Sequence, residues 1–325
     1  MALETFDQQL DKTNGNVPSI LLGNGFSRAW DNTIFDYKNL FQLADFGSRD
    51  AILRRIFTDF STYDFEKIMQ ALEAAELICQ TYNANTQTID DIRNDKHRLK
   101  DSLIEVIAHN HPERSSHVTT AQYDRAKPFI SQFENVFTLN YDLLLYWIIN
   151  KTEIAPLGYH HNDGFRGDTW IGRPEQNIFF LHGGLHLYDT GTHIKKHLFR
   201  ETSGTSIAEQ VANNLNHGNF PLFVSEPTSE NKLEQIKHNP YLNACFSALK
   251  NINGHLFIHG HSISENDNHI FKKIQESNVT DVYVSIFGDE NSPTNRECIA
   301  NSHRFIQNHN ISVQFYDAST APIWN

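Results

Sequence analysis

A series of short apolar runs, each closed by glycine or polar residues, restricts this chain to few folds. Ile20, Leu21 and Leu22 lead into Gly23 and Gly25; further runs are NVFTLN (135–140), NIFFLHG (177–183), PLFVSE (221–226), HLFIHG (255–260) and DVYVSIFG (281–288), with ISVQFYD (311–317) as a last candidate. Unbroken apolar runs bounded by turns suit strands buried on both faces, the requirement of a parallel sheet covered by helices. Helices are expected between them, at Tyr141 to Ile149, Asn239 to Asn251 and Asp267 to Glu276. From Phe35 to about His117 the period changes. FEKIMQALEAAELICQTY places Phe65, Ile68, Leu72, Ala75, Leu77 and Ile78 at near-helical spacing, and HRLKDSLIEVIAHN continues the pattern. The expectation is an α/β fold: a Rossmann-like doubly wound parallel sheet with an inserted helical subdomain. The chain reads as one domain over 1–325, with the insertion at 35–118 and the rest of the core at 119–325. GDTWIGRPEQN and RETSGTSIAEQ read as exposed loops.

Charge and cysteine usage narrow the function classes. Acidic residues outnumber basic ones 39 to 27, for a net charge of −12, which argues against sequence-independent binding of a phosphate backbone and so against direct nucleic-acid contact. The amino-terminal stretch has no basic and apolar signal pattern, and no apolar run reaches the roughly 20 residues that span a bilayer, so a cytoplasmic location without membrane contact is expected. Cys79, Cys245 and Cys298 are dispersed and offer neither a disulfide framework nor a CxxC zinc pair. Most of the 18 histidines lie in polar stretches such as HIKKH and HNHPERSSH and read as solvated.

In doubly wound folds, ligands sit beyond the carboxyl ends of the strands, which makes the residues closing each run the candidates. Gly23, Asn24, Gly25, Phe26 and Ser27 form a short turn of the kind that lets backbone N–H groups approach a pyrophosphate, although the third glycine of the full dinucleotide fingerprint is missing. Taken alone, an ordinary tight turn explains it equally well. Asn140 can hold a water or a ribose hydroxyl, while Asp142 can equally be a plain helix cap. His182 closes a strand beside two glycines, where an imidazole can act as a general base; His186 and Glu226 are secondary candidates. Gly260 and Ser262, with Asp267 behind them, make a second glycine-and-hydroxyl turn suited to a phosphate or ribose. His259, His261 and His269 lie close by, but no carboxylate or thiol completes a metal-ligand spacing along the sequence. No metal is expected.

The ordered set GNGFS, TLNYD, FFLHGGLH and IHGHSISENDNHI resembles the sirtuin-like family, in its NAD-hydrolysing branch of bacterial anti-phage defence proteins. The matching positions are Gly23 to Ser27, Thr138 with Asn140 to Asp142, His182 with Gly183, and Gly260, Ser262 and Asp267. Asn24 and Leu139 depart from the family pattern, and the four-cysteine zinc module of deacylating sirtuins is missing, with a helical insertion in its place. The resemblance implies that NAD is the substrate, cleaved to nicotinamide and ADP-ribose, with Asn140 and His182 catalytic. Gly23, Asn24, Gly25, Phe26, Ser27, Asp142, Gly260, Ser262 and Asp267 would then hold the nucleotide, without zinc. It also implies a homo-oligomer, with a hexameric ATPase or translocase as a further partner. A catalytically silent NAD or ADP-ribose sensor, a protein deacylase and a purely structural assembly protein remain as alternatives.

Overall fold

The computed structural model describes residues 3–32, 40–63, 65–109, 111–157, 161–199, 206–224, 226 and 228–324. Among them the strands are β1 (Ser19–Leu22), β2 (Val136–Thr138), β3 (Phe165–Arg166), β4 (Thr169–Trp170), β5 (Ile178–Phe180), β6 (Gly183–Asp189), β7 (Ile194–Lys196), β8 (Pro221–Phe223), β9 (Asn253–His259), β10 (Asn278–Ile286) and β11 (Ser312–Asp317). Six of these form a sheet in the order β11-β10-β9-β1-β2-β5, and every pairing in it is parallel. Numbered by their own succession along the chain, these six strands run 3-2-1-4-5-6, the doubly wound dinucleotide-fold order, with its switch point between β1 and β9. The expected α/β class is the observed one.

β1 is central, and Ile20, Leu21 and Leu22 are fully buried, as an unbroken apolar run between two neighbouring strands requires. Its last residue, Leu22, is level with both Thr138 and His259, and Thr138 is level with Phe180. Four carboxyl ends are thereby aligned along one edge of the sheet. The expected helices form as Leu144–Asn150, Pro240–Ala248 and Asn268–Gln275. Pro240 occupies a first-turn position, and Asn239 caps that helix by accepting the backbone N–H groups of Tyr241 and Leu242.

A second sheet, in the order β3-β4-β7-β6-β8, is antiparallel throughout, and in this part of the chain four segments depart from the sequence reading. PLFVSE supplies β8, which pairs antiparallel with β6 instead of joining the parallel sheet; three buried apolar residues look the same in either sheet. GDTWIGRPEQN contains β4, and HIKKH contains β7, where Lys196 pairs with the buried Asp163 at 2.5 Å. RETSGTSIAEQ is not all loop, because the helix Ile207–Asn216 starts inside it behind a Ser206–Glu209 capping box.

The crossover from β1 to β2 carries the helices Asp50–Asp59, Phe65–Thr81 and Thr86–His109. Phe65, Ile68 and Leu72 are buried, whereas Leu77 and Ile78 are exposed, so the apolar stripe of that second helix leaves the core in its last turns. His111 is not solvated as its polar neighbourhood suggested; it is buried, and its Nε2 accepts the backbone N–H of Leu143 at 2.9 Å. Phe35 and Tyr37, which open the expected insertion, lie outside the described residues, as does Ser225.

Candidate functional site

The turns after β1 and β9 meet at the switch point. Gly23 N–H donates to His259 O (2.9 Å), and Gly25 N–H donates to Gly260 O (2.7 Å). A Cβ on Gly25 would lie 2.6 Å from Gly260 Cα, and one on Gly260, whose φ is +70°, would lie 2.5 Å from Phe26 N. The glycines therefore allow two backbones to touch, and the Gly25 N–H is spent inside the protein. Asn24 opens a helix of only five residues, Asn24–Arg28. The Phe26 ring is buried against Trp324, whose Nε1–H donates to Phe26 O at 2.8 Å, so this ring is a core element and not a ligand platform. Ser262 is exposed.

Behind the first turn lies a buried polar network. The Asn140 amide donates to Gly23 O (2.9 Å) and to Ser27 Oγ (3.0 Å), and Ser27 Oγ donates to Asp142 Oδ2 (2.5 Å). Asp142 Oδ1 accepts the backbone N–H of Leu144 at 2.9 Å, which makes it a helix cap and a network member at once. Burial pushes the Asp142 carboxyl up to about 6, against the lowering effect of its Ser27 and Leu144 bonds. Asn140 is thereby fixed by its NH2 group, and its Oδ1 is the atom left to meet a ligand.

His182 sits where the chain leaves β5 and turns, through Gly183 at φ +72°, into the antiparallel sheet. A Cβ on Gly183 would lie 2.1 Å from Leu222 O, so only glycine allows this change of sheet. His182 is buried, its Nε2 has no hydrogen-bond partner, and that nitrogen lies 3.9 Å from Asp267 Oδ1. Asp267 also meets Lys232 Nζ at 2.7 Å and His261 Nε2 at 3.1 Å. The His269 ring is 5.8 Å from that of His182, centroid to centroid. Burial, aided by the charge of Lys232, pushes the His182 imidazole well below its ordinary range despite the opposing pull of Asp267. For Asp267, burial favours the neutral acid, but the His261 hydrogen bond and the Lys232 charge outweigh it and hold the carboxyl well below the usual range. The pair is therefore a neutral imidazole beside a carboxylate.

The fold brings Asn140, Ser27 and Asp142 into contact with the Gly23 turn, and brings His182 to Asp267. It keeps His186 apart in a different environment: buried, stacked on Tyr146 at 4.2 Å, and without a hydrogen-bond partner at either ring nitrogen. Glu226 accepts from Thr62 Oγ1 at 2.7 Å. Lys232 was missed in the sequence because its helix, Ser229–His238, has the unremarkable charge pattern of a solvated helix. Along the sequence no carboxylate completes a metal-ligand spacing with His259, His261 and His269, but in space Asp267 lies 3.1 Å from His261 Nε2 and 3.9 Å from His182 Nε2.

Three of the solved structures that the chain is similar to are sirtuins. One is a Sir2 in complex with the inhibitor EX-527, 2'-O-acetyl-ADP-ribose and a deacetylated p53 peptide: 12% identical, TM-score 0.40, covering 97% of this chain and 94% of that one. Another is Sir2Tm bound to a propionylated peptide: 12% identical, TM-score 0.40, covering 97% and 93%. A third concerns the structural basis of sirtuin substrate affinity: 12% identical, TM-score 0.36, covering 92% and 96%. At these values the likeness decides nothing about activity. A search of curated proteins finds no match. No helix among the described residues is long and apolar enough to cross a membrane. A family model described as "Domain of unknown function (DUF4917)" matches residues 20–324, and with nearly the whole chain matched, the protein belongs to the DUF4917 family.

Proposed function

We propose that this protein binds NAD across the β1–β9 switch point and hydrolyses it to nicotinamide and ADP-ribose. The observation that carries the reading is the alignment of four strand ends, which puts the Gly23 and Gly260 turns, Asn140 and His182 along one edge of a 3-2-1-4-5-6 sheet. Hydrolysis breaks the bond between nicotinamide and ribose C1′ while a water oxygen bonds to C1′ and releases a proton. His182 suits that proton: its imidazole is neutral, its Nε2 is unpartnered, and the Asp267 carboxylate 3.9 Å away stabilises the imidazolium once it forms. Asn140 Oδ1 would orient the water or a ribose hydroxyl, held in place by Ser27 and Gly23. Gly23, Gly25, Gly260, Ser262 and the Asn24 backbone would line the nucleotide.

Unrestrained hydrolysis would empty a cell of NAD, so a restraint is part of the proposal. Self-assembly, or a hexameric ATPase partner of the anti-phage type, would supply it in a bacterial defence role. The test is NAD consumption by purified protein, alone and with co-expressed genomic neighbours, resolving nicotinamide from ADP-ribose. Turnover in the activated wild type should fall by at least about 10²-fold in His182→Ala and in Asn140→Ala. Undiminished turnover in His182→Ala would remove the base assignment. NAD binding without turnover under any condition would leave a nucleotide sensor, and loss of acyl groups from peptide would leave a deacylase.

A further inference from the structure

We propose that His182, Asp267 and His269 form a binding site for one first-row divalent transition metal ion, with zinc as its simplest probe. One ligand atom from each of the three lies within 4.8 Å of the other two. Both histidines are at least nine-tenths buried, at 5% and 4% exposure, and the Nε2 of each has no hydrogen-bond partner. Leaving two imidazole nitrogens dry and unpartnered costs free energy; an ion between them and Asp267 would use both lone pairs. Two histidines and one carboxylate are a ligand set that zinc and its neighbours take, leaving open positions for water or substrate.

The surroundings fit ligand-orienting partners. His269 Nδ1 lies 3.0 Å from Ser229 Oγ, which also accepts the His269 backbone N–H at 2.9 Å. An Nδ1–H donated to that hydroxyl would fix the tautomer that leaves the Nε2 lone pair free for an ion. His261 Nε2 holds the second carboxylate oxygen at 3.1 Å. Zinc–nitrogen bonds of about 2.1 Å put tetrahedral ligand atoms about 3.4 Å apart, and with all three ligand atoms within 4.8 Å of one another no pair has to close by more than about 1.4 Å. The competitor is Lys232, whose ammonium lies 2.7 Å from Asp267 Oδ1 and already supplies the positive charge the carboxylate needs. Metal and Lys232 would compete for that oxygen. The same nitrogen of His182 serves as ligand or as base, so the metal-loaded protein would be a silent form; this consequence rests on the NAD reading, whereas the binding does not.

The experiment is zinc equilibrium dialysis with elemental analysis on chelator-stripped full-length protein, paired with cobalt absorption spectra. Wild type should take up a single zinc ion, with affinity at least about tenfold weaker in His269→Ala and in Asp267→Asn. Lys232→Met keeps all three ligands and removes the competing charge, so its affinity should rise about tenfold or more. It also keeps the test decisive if a ligand variant fails to fold by circular dichroism. Absence of stoichiometric metal in both wild type and Lys232→Met overturns the proposal, as does unchanged affinity in a folded His269→Ala. If zinc binds as expected and NAD is never turned over, only the NAD reading fails; if both hold, zinc inhibits the wild type and spares His269→Ala.

Discussion

Asp142 carries two duties that pull its charge in opposite directions. As an acceptor from Ser27 and Leu144 it is better ionised, but burial raises its carboxyl to about 6, compared with about 3.9 in an unfolded chain. A raised acid binds its proton more tightly in the folded state. Its contribution is therefore complete below about pH 4 and is lost as pH rises through about 6, a change of up to about 3 kcal/mol. Asp142→Asn should be neutral or mildly destabilising at pH 4 and should gain about 1–3 kcal/mol relative to wild type at pH 7.5. Denaturant unfolding at the two pH values measures this. An equal loss at both would mean that the acceptor geometry, not the charge, is what the network needs.

Among the elements, the two turns at the switch point are the most exacting. Gly25 and Gly260 touch backbone to backbone, and neither neighbour is a flexible side chain that can swing aside. Gly25→Ala should cost about 3 kcal/mol, and Gly260→Ala should cost more because its φ of +70° adds the penalty of a left-handed backbone. Thermal unfolding of the two variants against wild type checks this; a Tm shift of less than about 1 °C for Gly25→Ala would show that the turns can separate. Since the Gly25 N–H is already bonded to Gly260 O, the first duty of these glycines is to bring β1 and β9 together at the crevice. Any contact with a phosphate is made by what remains.

For the molecule as a whole, buried histidine sets the acid limit. His111 and His259 are buried, and burial pushes each down to about 4 from about 6.5 when unfolded. A lowered base gives stability that is complete above about pH 6.5 and is lost as pH falls toward 4, up to about 3 kcal/mol for each of the two. Against a typical total of about 5–15 kcal/mol, this outweighs the opposite trend of Asp142. The folded chain should therefore lose stability steeply between about pH 6.5 and about pH 4. Tm followed from pH 8 to pH 4 tests it, and a flat profile would mean that these rings reach water when they protonate.

The sequence by itself determined the strands of the parallel sheet, the polar residues at their ends and several helix starts, because these depend on local period and caps: Ile20–Leu22, Asn140, His182 and the Asn239–Pro240 cap all stand where the pattern puts them. Strand direction was not legible for Pro221–Phe223, since a short buried run carries no mark of its partner. Nor was the burial of His111, which depends on where the crossover helices return to the sheet. Only the tertiary structure brought Lys232, Asp267 and His269 to His182. Lys232 and His182 lie on separate elements, away from the helix start that carries Asp267 and His269, and what joins the three places is desolvation and charge pairing in three dimensions, for which linear spacing holds no record.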